Sequence, residues 1–154
     1  MTAVKATKYT KGFTLIELLV VIGILATLLA ITLIAINPAR QFAQANNTKR
    51  RSDTLQLLNA IHQYGADNQG QFPVPLNASF SAQLIASGVG NADICADIMP
   101  TYISALPTDP TLNTNPVTTC GTYDTGYTAS RDADGRITVS APTAELSQTI
   151  SVVR

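Results

Sequence analysis

Gly12, Phe13 and Glu17 are the residues of this chain whose types and spacing most suggest chemistry. Glu17 lies five positions after Gly12, in a segment that is otherwise apolar. A carboxylate in such a segment costs roughly 2.5–3.5 kcal/mol on insertion scales, so it needs a compensating partner, and assembly with other copies would supply one. Cys95 and Cys120 form a second pair. With an export-type N-terminus, an even cysteine count points to a disulfide in an oxidising compartment, worth on the order of 3 kcal/mol. Two free buried thiols are the alternative.

Other chemistry is thinly represented. His62 is the only histidine; without a second it makes neither a metal cluster nor a convincing base, and a place on a helix surface suits it. No serine lies in a G-x-S-x-G setting and no phosphate-binding glycine loop occurs, so the chain is not expected to be an enzyme or to carry a cofactor. Asp132-Ala133-Asp134-Gly135 invites a calcium reading. An EF-hand loop starting at Asp132 needs Gly at 137 and Glu at 143, where Ile137 and Thr143 stand. Asn46-Asn47-Thr48 and Asn77-Ala78-Ser79 fit the short glycosylation pattern.

The elements that must position these residues follow from composition. The chain has 154 residues, room for one modest domain. Between Phe13 and Ile36 only Thr14, Glu17, Gly23, Thr27 and Thr32 are not apolar. A helix of that length spans about 36 Å, enough to cross a hydrocarbon core of about 30 Å. Lys5, Lys8 and Lys11 precede it; Arg40, Lys49, Arg50 and Arg51 follow it, so the positive-inside rule gives no orientation. Formal net charge is zero, which does not indicate nucleic acid as a partner. The cluster Lys49-Arg50-Arg51 reads as a solvated helix face.

Pro38 lacks an N–H and should bend or break the helix, either as a hinge or as the point where membrane segment meets soluble helix. Gly23 is a second soft point or a close-packing position. Beyond Pro38, Leu57, Leu58, Ile61 and Tyr64 recur at helical spacing, with Phe42 and Ala45 on an earlier turn. Lys49, Arg50, Asp53, Gln56, Gln63 and Asp67 occupy the opposite positions. Gly70, Pro73 and Pro75 end the helix. The remainder should be a small head: short helices over 79–87 and 92–103, a tight loop at 106–110, a hairpin of 127–131 and 136–140 turning at Asp134-Gly135, and a last strand within 148–153.

The run Lys11-Gly12-Phe13-Thr14-Leu15-Ile16-Glu17-Leu18-Leu19-Val20-Val21-Ile22 resembles the cleavage and methylation motif of type IV pilins and type II secretion pseudopilins. Basic leader, Gly, Phe, Glu at the fifth mature position and about twenty apolar residues stand in register. The stretch from Lys49-Arg50-Arg51 through Leu57, Ile61, Tyr64 and Asp67-Asn68 to Gly70-Gln71-Phe72-Pro73 is similar to the helix end of pilins related to major pseudopilins. The resemblance implies cleavage by a prepilin peptidase after Gly12 on the cytoplasmic side, N-methylation of Phe13, and pairing of Glu17 with the Phe13 amine of a neighbouring subunit. An intrasubunit pairing or a headgroup-level carboxylate is the alternative for Glu17. Some pseudopilins bind calcium through C-terminal loops, which makes Asp109, Asp124, Asp132 and Asp134 weak candidate ligands.

The expected fold is therefore α+β, a long N-terminal helix packed on a small antiparallel sheet. Its parts are a leader at 1–12, a membrane or filament-core helix at 13–36, an amphipathic helix at 37–69 and a head at 70–154. The expected function is that of a pilin, held in the bilayer by a single span with its N-terminus inside and its head outside. It would then be extracted by a membrane assembly platform into a homo-oligomeric filament, surface or periplasmic. A pseudopilin of a secretion or competence system is the close alternative. An uncleaved, membrane-anchored binding module is the distant one.

Overall fold

The computed structural model describes residues 12–154. Leader residues 1–11, with Lys5, Lys8 and Lys11, lie outside the described residues. The chain forms two compact units, Met1–Pro38 and Ala39–Arg154.

The first unit is helix α1, Leu15–Ile36, twenty-two residues with no buried side chain. At 1.5 Å per residue it is about 33 Å long, sufficient by length and composition to cross a membrane. Its two inner hydroxyls are satisfied within the helix: Thr27 donates to the Ile24 carbonyl at 2.8 Å and Thr32 to that of Leu29 at 2.9 Å. Such internal pairing is what a helix in hydrocarbon requires. The helix stops at Asn37, whose φ of 48° is left-handed. Pro38 then opens α2, Pro38–Asp67, at the one position where a missing N–H costs nothing.

The second unit places α2 with a four-stranded antiparallel sheet in the order β1 (Phe80–Ala86), β2 (Asp124–Arg131), β3 (Ile137–Ala141), β4 (Ile150–Val153). Burial alternates along β2 and β3, putting Tyr127, Ala129, Ile137 and Val139 on one face. These join Leu57, Leu58 and Ile61 of α2 in a single core. The β2–β3 turn closes through Gly135 N–H on the Asp132 carbonyl at 3.1 Å, with Gly135 at φ 86°. The architecture is α+β, a long apolar N-terminal helix followed by a small antiparallel sheet.

Several local expectations are corrected. The stretch expected as a helix at 79–87 instead holds the edge strand β1, Phe80–Ala86. Ala82, Gln83 and Leu84 are good helix formers, but pairing with β2 overrides that preference. The helix expected at 92–103 shrinks to α3, Cys95–Ile98. Phe42, at 71% exposure, and Ala45 face outward, so the buried face of α2 does not run through them. Arg50 and Asp53, expected in solvent, are buried. The buried positions Ala43, Asn47, Arg50, Thr54, Leu57, Leu58 and Ile61 keep helical spacing throughout. The face is continuous, but its first half is polar.

Candidate functional site

At the N-terminal motif, Gly12 and Phe13 precede the helix and are exposed, Phe13 at 87%. Thr14 is the N-cap, in extended conformation. Its backbone N–H donates to Glu17 Oε2 at 2.8 Å and its hydroxyl to the same oxygen at 2.7 Å. Glu17 N–H returns a bond to Thr14 Oγ1 at 3.3 Å. This reciprocal capping box satisfies two of the donors a helix start leaves open. Glu17 is thus engaged within its own chain, while its neighbours Phe13, Ile16, Val20 and Val21 line an open apolar groove. A Cβ on Gly23 would meet nothing within 4 Å.

Residues 7–33 match the model of the prokaryotic N-terminal methylation motif. The chain carries a prepilin motif. That motif supports a type IV pilin-like or pseudopilin precursor, and it implies processing by a prepilin peptidase and assembly with other pilins. With the one helix among the described residues that is long and apolar enough to cross a membrane, it points to single-pass membrane anchoring. Comparison of the whole chain with curated proteins and with solved structures gives no match.

The head that the prepilin motif carries is held by a buried ionic cluster. Arg50 Nε and Nη2 bond Asp109 Oδ2 and Oδ1 at 2.7 and 3.0 Å, a bidentate pair with both side chains fully buried. Arg50 Nη1 bonds Glu145 Oε2 at 2.8 Å and Asn47 Oδ1 at 3.0 Å. Asp109 also accepts from Thr143 Oγ1 at 2.6 Å, from Thr111 N at 2.9 Å and from the Thr111 hydroxyl. Burial by itself would push the Asp109 carboxyl up; the bonds from Arg50, Thr111 and Thr143 outweigh it and hold it well below the carboxylate range. The Arg50 guanidinium is raised, chiefly by its bonds to Asp109. Beside this cluster the Tyr127 hydroxyl donates to Asp53 Oδ2 at 2.7 Å, and Lys49 Nζ bridges Asp53 to the Thr108 carbonyl at 2.7 and 2.8 Å. Gly126, at φ 75°, lets the chain pass Asp109: a Cβ there would stand 2.8 Å from that of Asp109.

The four candidate calcium ligands do not converge. Asp109 is engaged by Arg50, Asp124 Oδ1 accepts from Gly126 N at 2.8 Å, and Asp132 and Asp134 are bridged by Arg136. Among the described residues no group of three or more His, Cys, Asp or Glu side chains could hold a metal ion.

Cys95 and Cys120 are joined in a disulfide that ties α3 to the loop before β2. His62 is half-buried, its ring edge-on to Phe72 at 5.5 Å between centroids, with Nε2 buried and without a partner. Burial, then the nearby Arg154 charge, lowers its pKa below 6.5. Of the two sequon asparagines, Asn46 donates its Nδ2 to Glu145 Oε2 at 3.0 Å, while Asn77 is exposed and accepts through Oδ1 from Phe72 N at 3.1 Å. Sequence reasoning missed Arg50 and its partners. The signal was the spacing of Asn47, Arg50 and Thr54 in line with Leu57 and Ile61.

Proposed function

We propose that the chain is the precursor of a structural subunit of a type IV pilus-like filament, stored in the membrane through α1 with its head outside. Prepilin peptidase cleaves after Gly12, the new Phe13 amine is methylated, and α1 enters a helical filament core. The observation that carries this reading is the methylation motif at residues 7–33 running directly into a helix whose whole apolar surface is uncovered. That surface is stable only in lipid or against other copies. Phe13, Ile16, Val20 and Val21 form an open apolar surface beside Glu17, which a neighbouring α1 would cover.

Glu17 then has two successive partners. In the precursor the Thr14 capping box holds its carboxylate. On assembly the Phe13 amine of a neighbouring subunit takes it over, since two charges left unpaired in an apolar core are costly and favour the axial register that pairs them. Asn37-Pro38 separates the assembling helix from α2 and its head. The role is structural, with no catalysis by the subunit itself. A pseudopilin in a short periplasmic fibre uses the same motif and the same helix.

The test is intact mass and N-terminal sequencing of the chain from the membrane and sheared surface fractions of its native host. A start at Phe13 carrying one added methyl group is the expected result. A chain retaining its leader and found only in membranes overturns the reading in favour of an anchored binding module.

A further inference from the structure

The two edges of the head's sheet are finished differently. At β1 the ladder with β2 is interrupted by register shifts between Phe80 and Gln83 and between Leu84 and Ala86. On its far side the Leu84 carbonyl is taken by the Ala92 N–H at 2.8 Å. Bulges and a covering segment are two of the ways in which proteins close a sheet edge. β4 has neither. Its four residues pair with β3 in unbroken register, from Thr138 with Val153 to Ala141 with Ile150. Residues 149–153 include no charged residue, no proline and no glycine.

The antiparallel alternation decides which backbone groups of β4 are open. Ile137 and Arg154 exchange both of their bonds, at 2.8 and 3.0 Å. Stepping back by twos, Val152 and Ile150 also turn their N–H and C=O toward β3, while Val153 and Ser151 turn theirs outward. Among the described residues no hydrogen bond takes up these outward groups. Both residues are exposed, Val153 at 52%. Such a row of unpaired donors and acceptors is a template for a further strand.

We propose that β4 is a self-docking edge, which pairs antiparallel with β4 of a second copy of this chain about a dyad at Val152. In that register Ser151 of each copy exchanges two backbone bonds with Val153 of the other, and every outward group of the strand is satisfied. The two Val152 side chains meet at the dyad, in the non-hydrogen-bonded position where side chains approach most closely. A register centred on Ser151 would need Thr149, which lies outside the strand. The edge offers a partner no charge to recognise; it offers a backbone ladder and a valine, and a second β4 complements both. With the β1 edge closed, each copy brings one open edge, so pairing stops at two heads and builds no fibre. Four residues a side bury far less than the roughly 1,200 Å² of a standard interface. The contact is therefore weak and reversible, and it matters where α1 tethers heads close together. Consecutive subunits of a polar filament share one direction and are not related by a dyad, so the pair joins heads that are not neighbours in one filament. The inference goes beyond the pilin reading and does not depend on it, since an anchored binding module would carry the same edge.

The test is amide hydrogen exchange, read by NMR on the full chain in detergent micelles over a series of protein concentrations. The Ser151 and Val153 amides should exchange several-fold more slowly as concentration rises. Val153→Pro removes an outward donor and no bond to β3, and edge positions tolerate proline. In that variant Ser151 should exchange at one rate at every concentration, while the amides of β2 and β3 stay protected. Rapid exchange of both amides at all concentrations in the parent overturns the proposal. So does slowing of Ser151 that persists in Val153→Pro, because something other than a second β4 then covers the edge. A measurement without proline fixes the register: full chain carrying Ser151→Cys is mixed with full chain carrying Val153→Cys under a mild oxidant. Disulfide-linked dimers should form several-fold faster in the mixture than in either chain alone, and equal rates or no dimer overturn the pairing.

Discussion

Helices α1 and α2 follow one another in the chain and solve the problem of polar groups in apolar surroundings in different ways. Every side chain of α1 is exposed, and the apolar surface from Leu15 to Ile36 is uncovered among the described residues. Its few polar groups, Thr14 with Glu17 and the hydroxyls of Thr27 and Thr32, are closed locally within one turn. In α2 the arrangement is inverted: Arg50, Asp53 and Asn47 are buried while Phe42 and Leu55 are exposed. Their partners, Asp109, Tyr127 and Glu145, lie 59, 74 and 98 residues away in sequence. One helix is complete only in lipid or among other copies; the other is complete within the fold. Damage to α1 should therefore appear in assembly and damage to the head in folding.

The comparison is broken most severely at Arg50. Arg50→Ala leaves Asp109 buried without its main partner, at a cost of about 3–5 kcal/mol. The expected result is a head unfolded or largely protease-sensitive at growth temperature. If thermal melting of the variant matches the parent, the cluster does not hold the head together.

Cys95→Ser should come next, at about 3 kcal/mol for a bridge closing a separation of 25 residues. Protease resistance with and without reductant checks it: reductant should weaken the parent and leave the variant unchanged. Gly126→Ala should cost about 1–2 kcal/mol for its left-handed backbone, with the clash against Asp109 in addition. A denaturant titration that places the variant within experimental error of the parent would contradict that close approach.

A smaller effect is set by His62. Its folded pKa is depressed and its unfolded value is near 6.5, so the unfolded chain takes up the proton first as pH falls. Stability should be flat above about pH 6.5, decline as pH drops from there toward the folded pKa, and level off below it. Burial and the Arg154 charge close by would oppose the new charge. Melts of the isolated head at a series of pH values should show the decline, and His62→Gln should remove it.

The smallest effect on the head is expected at Glu17. Glu17→Ala should leave the melting of residues 39–154 unchanged and leave membrane insertion intact, while reducing filament incorporation or Phe13 methylation. Normal filament yield in that variant would remove the proposed pairing with Phe13.

How much was legible beforehand tracks the range of each interaction. The motif around Gly12 and Glu17, the apolar span, the β2–β3 turn and the helical stripe through Leu57 and Ile61 are local, written in spacing along the chain. The strand at 80–86 was not, because its residues suit a helix and only an edge position beside β2 makes them extended. Nor was the burial of Arg50. An arginine between a lysine and another arginine looks solvated until Asp109 and Glu145 are brought to it by a fold that closes sequence separations of 59 and 95.

What the sequence by itself determined is the prepilin motif and the apolar helix behind it, since both depend on residue type and order over a few turns. The tertiary structure alone decided which charges are interior and which sheet edge is left open. Both depend on partners supplied from distant segments: an ion enters a core only where counter-charges already wait, and a strand edge stays open only where the fold has brought nothing beside it.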